Sequence, residues 1–154
     1  MGAGALFRDS LDRVLLVKPT YKAGWEIPGG AIEVGESPRS CCRRELLEEL
    51  GLETSIGRLL VFDWLPVNPP RPDGWMFVFD GGVLVESSIS RIVLKSEELE
   101  DWRFVEVAEL DGLLPAHRVR RIRVAHACAL SGSSADLEWG YTAEVGFEFA
   151  AVEE

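Results

Sequence analysis

Glu45, Glu48 and Glu49 lie between a helix-start signal and a helix-stop signal. The Ser37 hydroxyl can cap a helix N-terminus, Pro38 suits a first helical position where its missing N–H costs nothing, and Gly51 suits the stop. At about 100° per residue, Leu46, Leu47 and Leu50 fall on one arc of roughly 100° and the three glutamates fall on another. Glu45 and Glu49 are like charges at i,i+4, in the half of the helix whose dipole favours cations. Arg44 can offset one of these charges. A hard divalent cation with oxygen ligands, Mg²⁺ or Mn²⁺, would offset the rest, its shell completed by water and phosphate oxygens. The plain alternative is a solvated acidic face, the ordinary fate of a Glu-rich helix.

The flanking residues decide between the two. The pattern G-x5-E-x7-R-E-U-x-E-E-x-G-U, with U apolar, is met at every fixed position by Gly30, Glu36, Arg44, Glu45, Leu46, Glu48, Glu49, Gly51 and Leu52. An aromatic-x-apolar-Pro-Gly-Gly run, Trp25 to Gly30, leads into it. The stretch resembles the Nudix box, the signature of the Nudix hydrolases, and so many fixed positions make a chance match improbable. The resemblance implies hydrolysis of a diphosphate linking a nucleoside to another group X, with water attacking phosphorus. It implies metal ligation by the Gly29 carbonyl and by Glu48 and Glu49, with Glu45 as a third ligand or as the general base. Arg44 then orients the glutamates, and Glu36 anchors the loop to the helix. Mg²⁺ or Mn²⁺ is the implied cofactor, because an anionic diphosphate would otherwise be repelled by a carboxylate-lined site.

Length and composition narrow the remaining choices. A chain of 154 residues with 47% hydrophobic and 27% charged residues suits one core, read as a single domain over residues 1–140 followed by an acidic tail, 141–154, whose order the sequence leaves open. A net charge of −10 argues against a surface that coats nucleic acid or anionic membrane, while a small phosphorylated substrate stays compatible. Cys41, Cys42 and Cys128 form neither a zinc spacing nor an even disulfide set, which suggests reduced thiols in a cytoplasm. No apolar run reaches the length of a membrane span, and the N-terminus lacks a signal-peptide pattern.

Along the chain, Ala3–Phe7 and Val14–Val17 read as a hairpin around a polar turn, and Gly57–Leu65 and Trp75–Val85 read as strands. Between the latter lies a proline-rich loop carrying Arg71, which could meet a phosphate or stack on a base; Trp64 and Trp75 could also stack on substrate. Ile89–Lys95 reads as a further strand, followed by a run of acids, Glu97 to Asp101. The resemblance favours Glu98 as the acid that completes the site from a facing loop, as ligand or base, with Glu97 as its rival. Val107–Leu114 contains a helical turn, and Pro115–Leu130 reads as a closing helix. Its arginines, Arg118, Arg120, Arg121 and Arg123, read as a solvated face, and His117 and His126 as structural.

Strands around one amphipathic helix, closed by a second helix, predict an α/β/α sandwich with a mixed β-sheet between helices, the Nudix-type fold. The expected protein is a metal-dependent pyrophosphohydrolase acting on a small nucleotide-type substrate, with no nucleic-acid polymer or membrane as partner; a homodimer is compatible. The alternative is a Nudix-fold sensor that binds a nucleotide without cleaving it, although such a sensor has no need for three strained glutamates. A calcium-stabilised structural protein would carry a ligand loop of alternating acids, and this chain has none.

Overall fold

Strands β1 (Gly2–Arg8) and β2 (Val14–Pro19) are apolar at nearly every position because each is covered on both faces. Ala3, Ala5, Phe7, Leu15 and Val17 pack into one core with helix α1 (Pro38–Leu50), while Leu6, Val14 and Leu16 pack into a second core with helix α3 (Ala116–Ser131). The period-2 alternation of a strand sends neighbouring side chains to opposite cores. The computed structural model describes residues 1–95 and 97–144; Ser96 and residues 145–154 of the expected acidic tail lie outside the described residues.

The remaining strands are β3 (Gly29–Ala31), β4 (Leu59–Leu65), β5 (Gly74–Val83), β6 (Leu99–Val105) and β7 (Ala135–Glu138). They form one mixed sheet in the order β6-β2-β1-β5-β4-β7, with β3 also paired to β1. The β1–β5 and β4–β7 pairs are parallel and the others antiparallel. With α1 on one face and α3 on the other, this is the expected α/β/α sandwich. The helical turn expected after Val107 is a short 3-10 segment, Val107–Glu109. Two of the three cysteines, Cys41 and Cys42, are core residues of α1; all three thiols are buried and free. No helix among the described residues is long and apolar enough to cross a membrane.

Two expectations need correction. Ile89–Lys95 is no strand: helix α2 (Glu86–Ile89) ends there, and the chain beyond it docks on α1. The Val93 N–H donates to the Leu50 carbonyl (2.9 Å) and the Lys95 N–H to the Glu49 carbonyl (3.3 Å). These amides satisfy carbonyls left open at the end of α1 and take no part in a sheet ladder.

The second correction concerns how α1 is turned. Leu46 and Leu50 are fully buried, but Leu47 is 50% exposed while Glu49 is only 5% exposed. The helix rolls so that the leucine arc loses its outer member to solvent and the glutamate arc yields Glu49 to the interior. Leu46→Ala is therefore expected to destabilise the protein by about 2–5 kcal/mol and Leu47→Ala by less than about 1 kcal/mol, read from chemical denaturation midpoints. Equal losses would mean that the helix faces the sheet as the sequence pattern alone suggests.

Candidate active site

Helix α1 begins as its sequence signals require. The Ser40 N–H donates to Ser37 Oγ (3.1 Å), Pro38 takes a first-turn position, and Gly51 closes the helix at φ 65°. Arg44 is the hub of its exposed side. Its Nε and Nη2 bind the two oxygens of Glu36, each at 2.9 Å, while Nη1 donates to Glu45 Oε1 (2.8 Å) and Glu48 Oε2 (3.2 Å). Nη2 also donates to the Ala31 carbonyl (3.1 Å), so one guanidinium ties the loop to the helix and orients two glutamates. Hydrogen bonding to Arg44 holds the Glu36 carboxyl down to about 2.

Glu49 faces inward, where its Oε2 accepts from the Gly29 N–H at 2.9 Å. Burial pushes its carboxyl up to about 8, with further upward pressure from the charges of Glu45, Glu26 and Glu98. Glu45 is also raised, again chiefly by burial, with Glu48 and Glu98 adding repulsion against the opposing pull of Arg44. Its carboxyl lies against Gly30, in space that a side chain at that position would occupy. Gly29 adopts φ 146°, and an added Cβ there would collide with the Ala3 backbone, so glycine is sterically required at that position, whereas an added Cβ at Gly30 would displace the Glu45 carboxyl.

The acidic run reaches this cluster by tertiary contact. Glu98 lies just before β6, 40% exposed, and accepts from Lys95 Nζ at 2.8 Å. Thr20 anchors the same turn, its N–H donating to the Glu98 carbonyl (2.9 Å) and its hydroxyl to the Glu97 carbonyl (2.9 Å). Docking of residues 93–95 on the end of α1 brings Glu98 close enough to press on the titration of both Glu45 and Glu49. Glu100 faces elsewhere and pairs with Lys18.

A cavity of about 690 Å³ opens beside Gly29, Gly30 and Ala31, and Arg71 and Trp75 belong to its lining. Trp64 lines a different depression with Phe62, Asp136 and Glu138, on the edge formed by β4 and β7. Trp75 stacks on Phe62 with ring centroids 4.2 Å apart. Sequence reasoning missed the α3 wall of the cavity. Arg118 bonds Glu26 (3.1 Å) and Arg121 bonds the buried Asp63 (2.5 Å), so these arginines are no solvated face. The available signal was Asp63 itself, an acid in the apolar strand Leu59–Leu65 that had to find a cationic partner. His117 stacks on Trp139 at 3.7 Å and belongs to the cavity lining, and His126 Nε2 meets the Asp12 carbonyl at 2.9 Å.

The profile of the NUDIX domain matches residues 1–128. The chain belongs to the NUDIX family. It is a Nudix hydrolase, of the class acting on nucleoside diphosphate derivatives. An RNA pyrophosphohydrolase of Roseobacter denitrificans is 30% identical over 111 residues, 62% of this chain and 69% of that protein. The solved MutT protein of Methanosarcina mazei Go1 superposes with a TM-score of 0.67 at 22% identity, covering 85% of this chain and 93% of that one. A solved UDP-X diphosphatase superposes with a TM-score of 0.70 at 21% identity, covering 89% and 66% respectively.

Nudix enzymes generally require a divalent metal, and the donors present fit one. All are carboxylate or carbonyl oxygens, the chemistry of Mg²⁺ or Mn²⁺, and Arg44 is the one cation bonded to Glu45 and Glu48 among the described residues. Among the described residues, no three acidic, imidazole or thiol groups converge into a ready-made cage.

Proposed function

We propose that this protein is a metal-dependent pyrophosphohydrolase that cleaves the diphosphate of a nucleoside diphosphate linked to X by attack of water on phosphorus. The observation that carries this reading is the buried Glu49 carboxyl, raised to about 8 and bonded to Gly29 at the rim of a substrate-sized cavity. Glu48 and Glu49 are the assigned metal ligands, with the Gly29 carbonyl beside them. Glu45 is a third ligand or the general base, and Glu98 is a ligand or base from the facing turn. A bound Mg²⁺ or Mn²⁺ would neutralise diphosphate oxygens and lower the pKa of the attacking water. Arg44, locked by both oxygens of Glu36, holds Glu45 and Glu48 in place, so that little reorganisation is needed when substrate arrives. Arg71 and Trp75 are assigned to substrate from the cavity wall. Trp64 keeps its assignment only if X extends past that wall to the β4–β7 edge. We read residues 1–140 as the single catalytic domain and the substrate as a small molecule.

The test is a screen for phosphate or diphosphate release with Mg²⁺ and Mn²⁺ over nucleoside triphosphates, oxidised nucleotides, ADP-ribose, nucleotide sugars and dinucleoside polyphosphates. Release from at least one member is expected. Tight nucleotide binding without release would establish the sensor alternative instead.

A further inference from the structure

The turn after β7 holds a residue in a conformation that its side chain disfavours. Glu138 and Tyr141 exchange backbone hydrogen bonds of 3.0 Å in both directions, which leaves Trp139 and Gly140 as the two central residues of a tight turn, at φ 54° and 80°. Two positive φ values are the demand that Asn-Gly usually meets, and a bulky residue at the first of them is strained. The turn is nevertheless fixed from several sides. The Trp139 N–H donates to the Trp64 carbonyl (2.8 Å), and the Trp139 carbonyl accepts from Arg120 Nη2 (2.9 Å). The Gly140 N–H donates to Asp63 Oδ1 (3.0 Å), while Asp63 Oδ2 accepts from Arg121 Nε (2.5 Å). Gly140 also lies so close to α3 that an added Cβ would meet the His117 carbonyl at 2.5 Å. The buried pair of Asp63 and Arg121 therefore has a task, which is to anchor the turn to α3.

What the anchored turn presents is an aromatic pair. The rings of Trp139 and His117 stack at 3.7 Å with 7° between their planes, and both residues belong to the cavity lining. Core packing does not account for Trp139: its neighbour Leu137 is 3% exposed and belongs to the core, while Trp139 stays only partly buried. Backbone strain held in place by a surrounding network, beside a cavity, is the pattern expected where a side chain is aimed at a ligand. Burial, with Arg121, Arg118 and Arg120 around it, holds the His117 imidazole down to about 3, so the stack is uncharged at neutral pH. An uncharged aromatic pair suits a flat heterocycle and offers a phosphate nothing. Gly29 and Gly30 border the same cavity, so a diphosphate held there leaves the attached base room to reach α3. We infer that Trp139 and His117 form the platform against which the planar base of the nucleoside diphosphate packs, with Asp63 and Arg121 as positioning residues that hold the turn.

This rests on the reading that a nucleoside diphosphate occupies the cavity, and a ligand that lacks only the base separates the two. Affinities of the full chain for ADP and for ribose 5-diphosphate are measured by calorimetry with Mg²⁺, alongside hydrolysis of ADP-glucose. ADP is expected to bind at least about tenfold more tightly, the contribution of a base stacked on aromatic side chains. Trp139→Leu and His117→Leu should each bring that ratio within about threefold by weakening ADP alone, whereas Trp139→Phe, which keeps a ring, should preserve most of it. A merely structural pair would weaken both ligands together and leave the ratio intact, which would overturn the assignment. His117 belongs to neither core, so its substitution remains informative even if Trp139→Leu unfolds the turn. Equal affinities for the two ligands in the unaltered protein would overturn the platform and leave the hydrolase reading standing. Binding of neither ligand would overturn both. A ring-dependent preference for ADP with no hydrolysis of ADP-glucose or of any other conjugate would uphold the platform and remove the proposed enzymatic function.

Discussion

In excess chelator turnover is expected to vanish and to return with Mg²⁺ or Mn²⁺, and Glu49→Gln at saturating metal should lose about 10³-fold or more in kcat/KM. The same substitution should stabilise the metal-free protein at alkaline pH. The Glu49 carboxyl titrates at about 8 in the folded chain against an ordinary value near 4.5. Between those two pH values the folded chain binds more protons than the unfolded one, so stability is greatest at acid pH and falls as pH rises through about 8. Glutamine keeps an oxygen for the Gly29 N–H without the charge, so the variant should lose this slope and gain on the order of a few kcal/mol at pH 9. Denaturant titrations of metal-free protein at pH 5 and pH 9 provide the check. A parallel pH profile in the two proteins would mean that Glu49 titrates normally and that burial does not strain it.

The second large effect falls on Glu98. Glu98→Gln should lower kcat about 10²-fold with little change in KM, whereas substitution of Glu100, a β6 residue paired with Lys18 of β2, by Gln should leave both near their original values. The contrast follows from position: the Glu98 charge raises the Glu45 and Glu49 carboxyls, and no comparable influence of Glu100 is seen on either. Steady-state kinetics on the two variants decide the matter. Small, equal losses would reduce the run to a solvated turn and leave the site to the Nudix box alone.

Much of the candidate site is local and was therefore legible in the chain. Ser37, Pro38 and Gly51 set the limits of α1 through backbone preferences, and the spacing from Glu36 to Arg44 is short enough for one guanidinium to meet both Glu36 oxygens. The apolar runs Ala3–Phe7 and Val14–Val17 around a polar turn likewise showed two strands of a hairpin. Periodicity could not say how α1 would be rolled, because Leu47 and Glu49 flank the buried stripe and the close approach of Gly29 to the helix decides which of them turns inward. Ile89–Lys95 has strand-like residues, yet its amides meet the open end of α1, a partner chosen by packing that local propensity cannot see. The pairing of Asp63 with Arg121 spans 58 positions, and Glu98 reaches α1 only through the docking of residues 93–95. Local spacing thus determined the limits of α1 and the pairing of Arg44 with Glu36, and the resemblance to the Nudix box implied the class of fold. Tertiary structure alone decided which glutamate is buried, which acid faces it and which arginine lines the cavity, because burial and long-range charge exist only once distant segments have packed together.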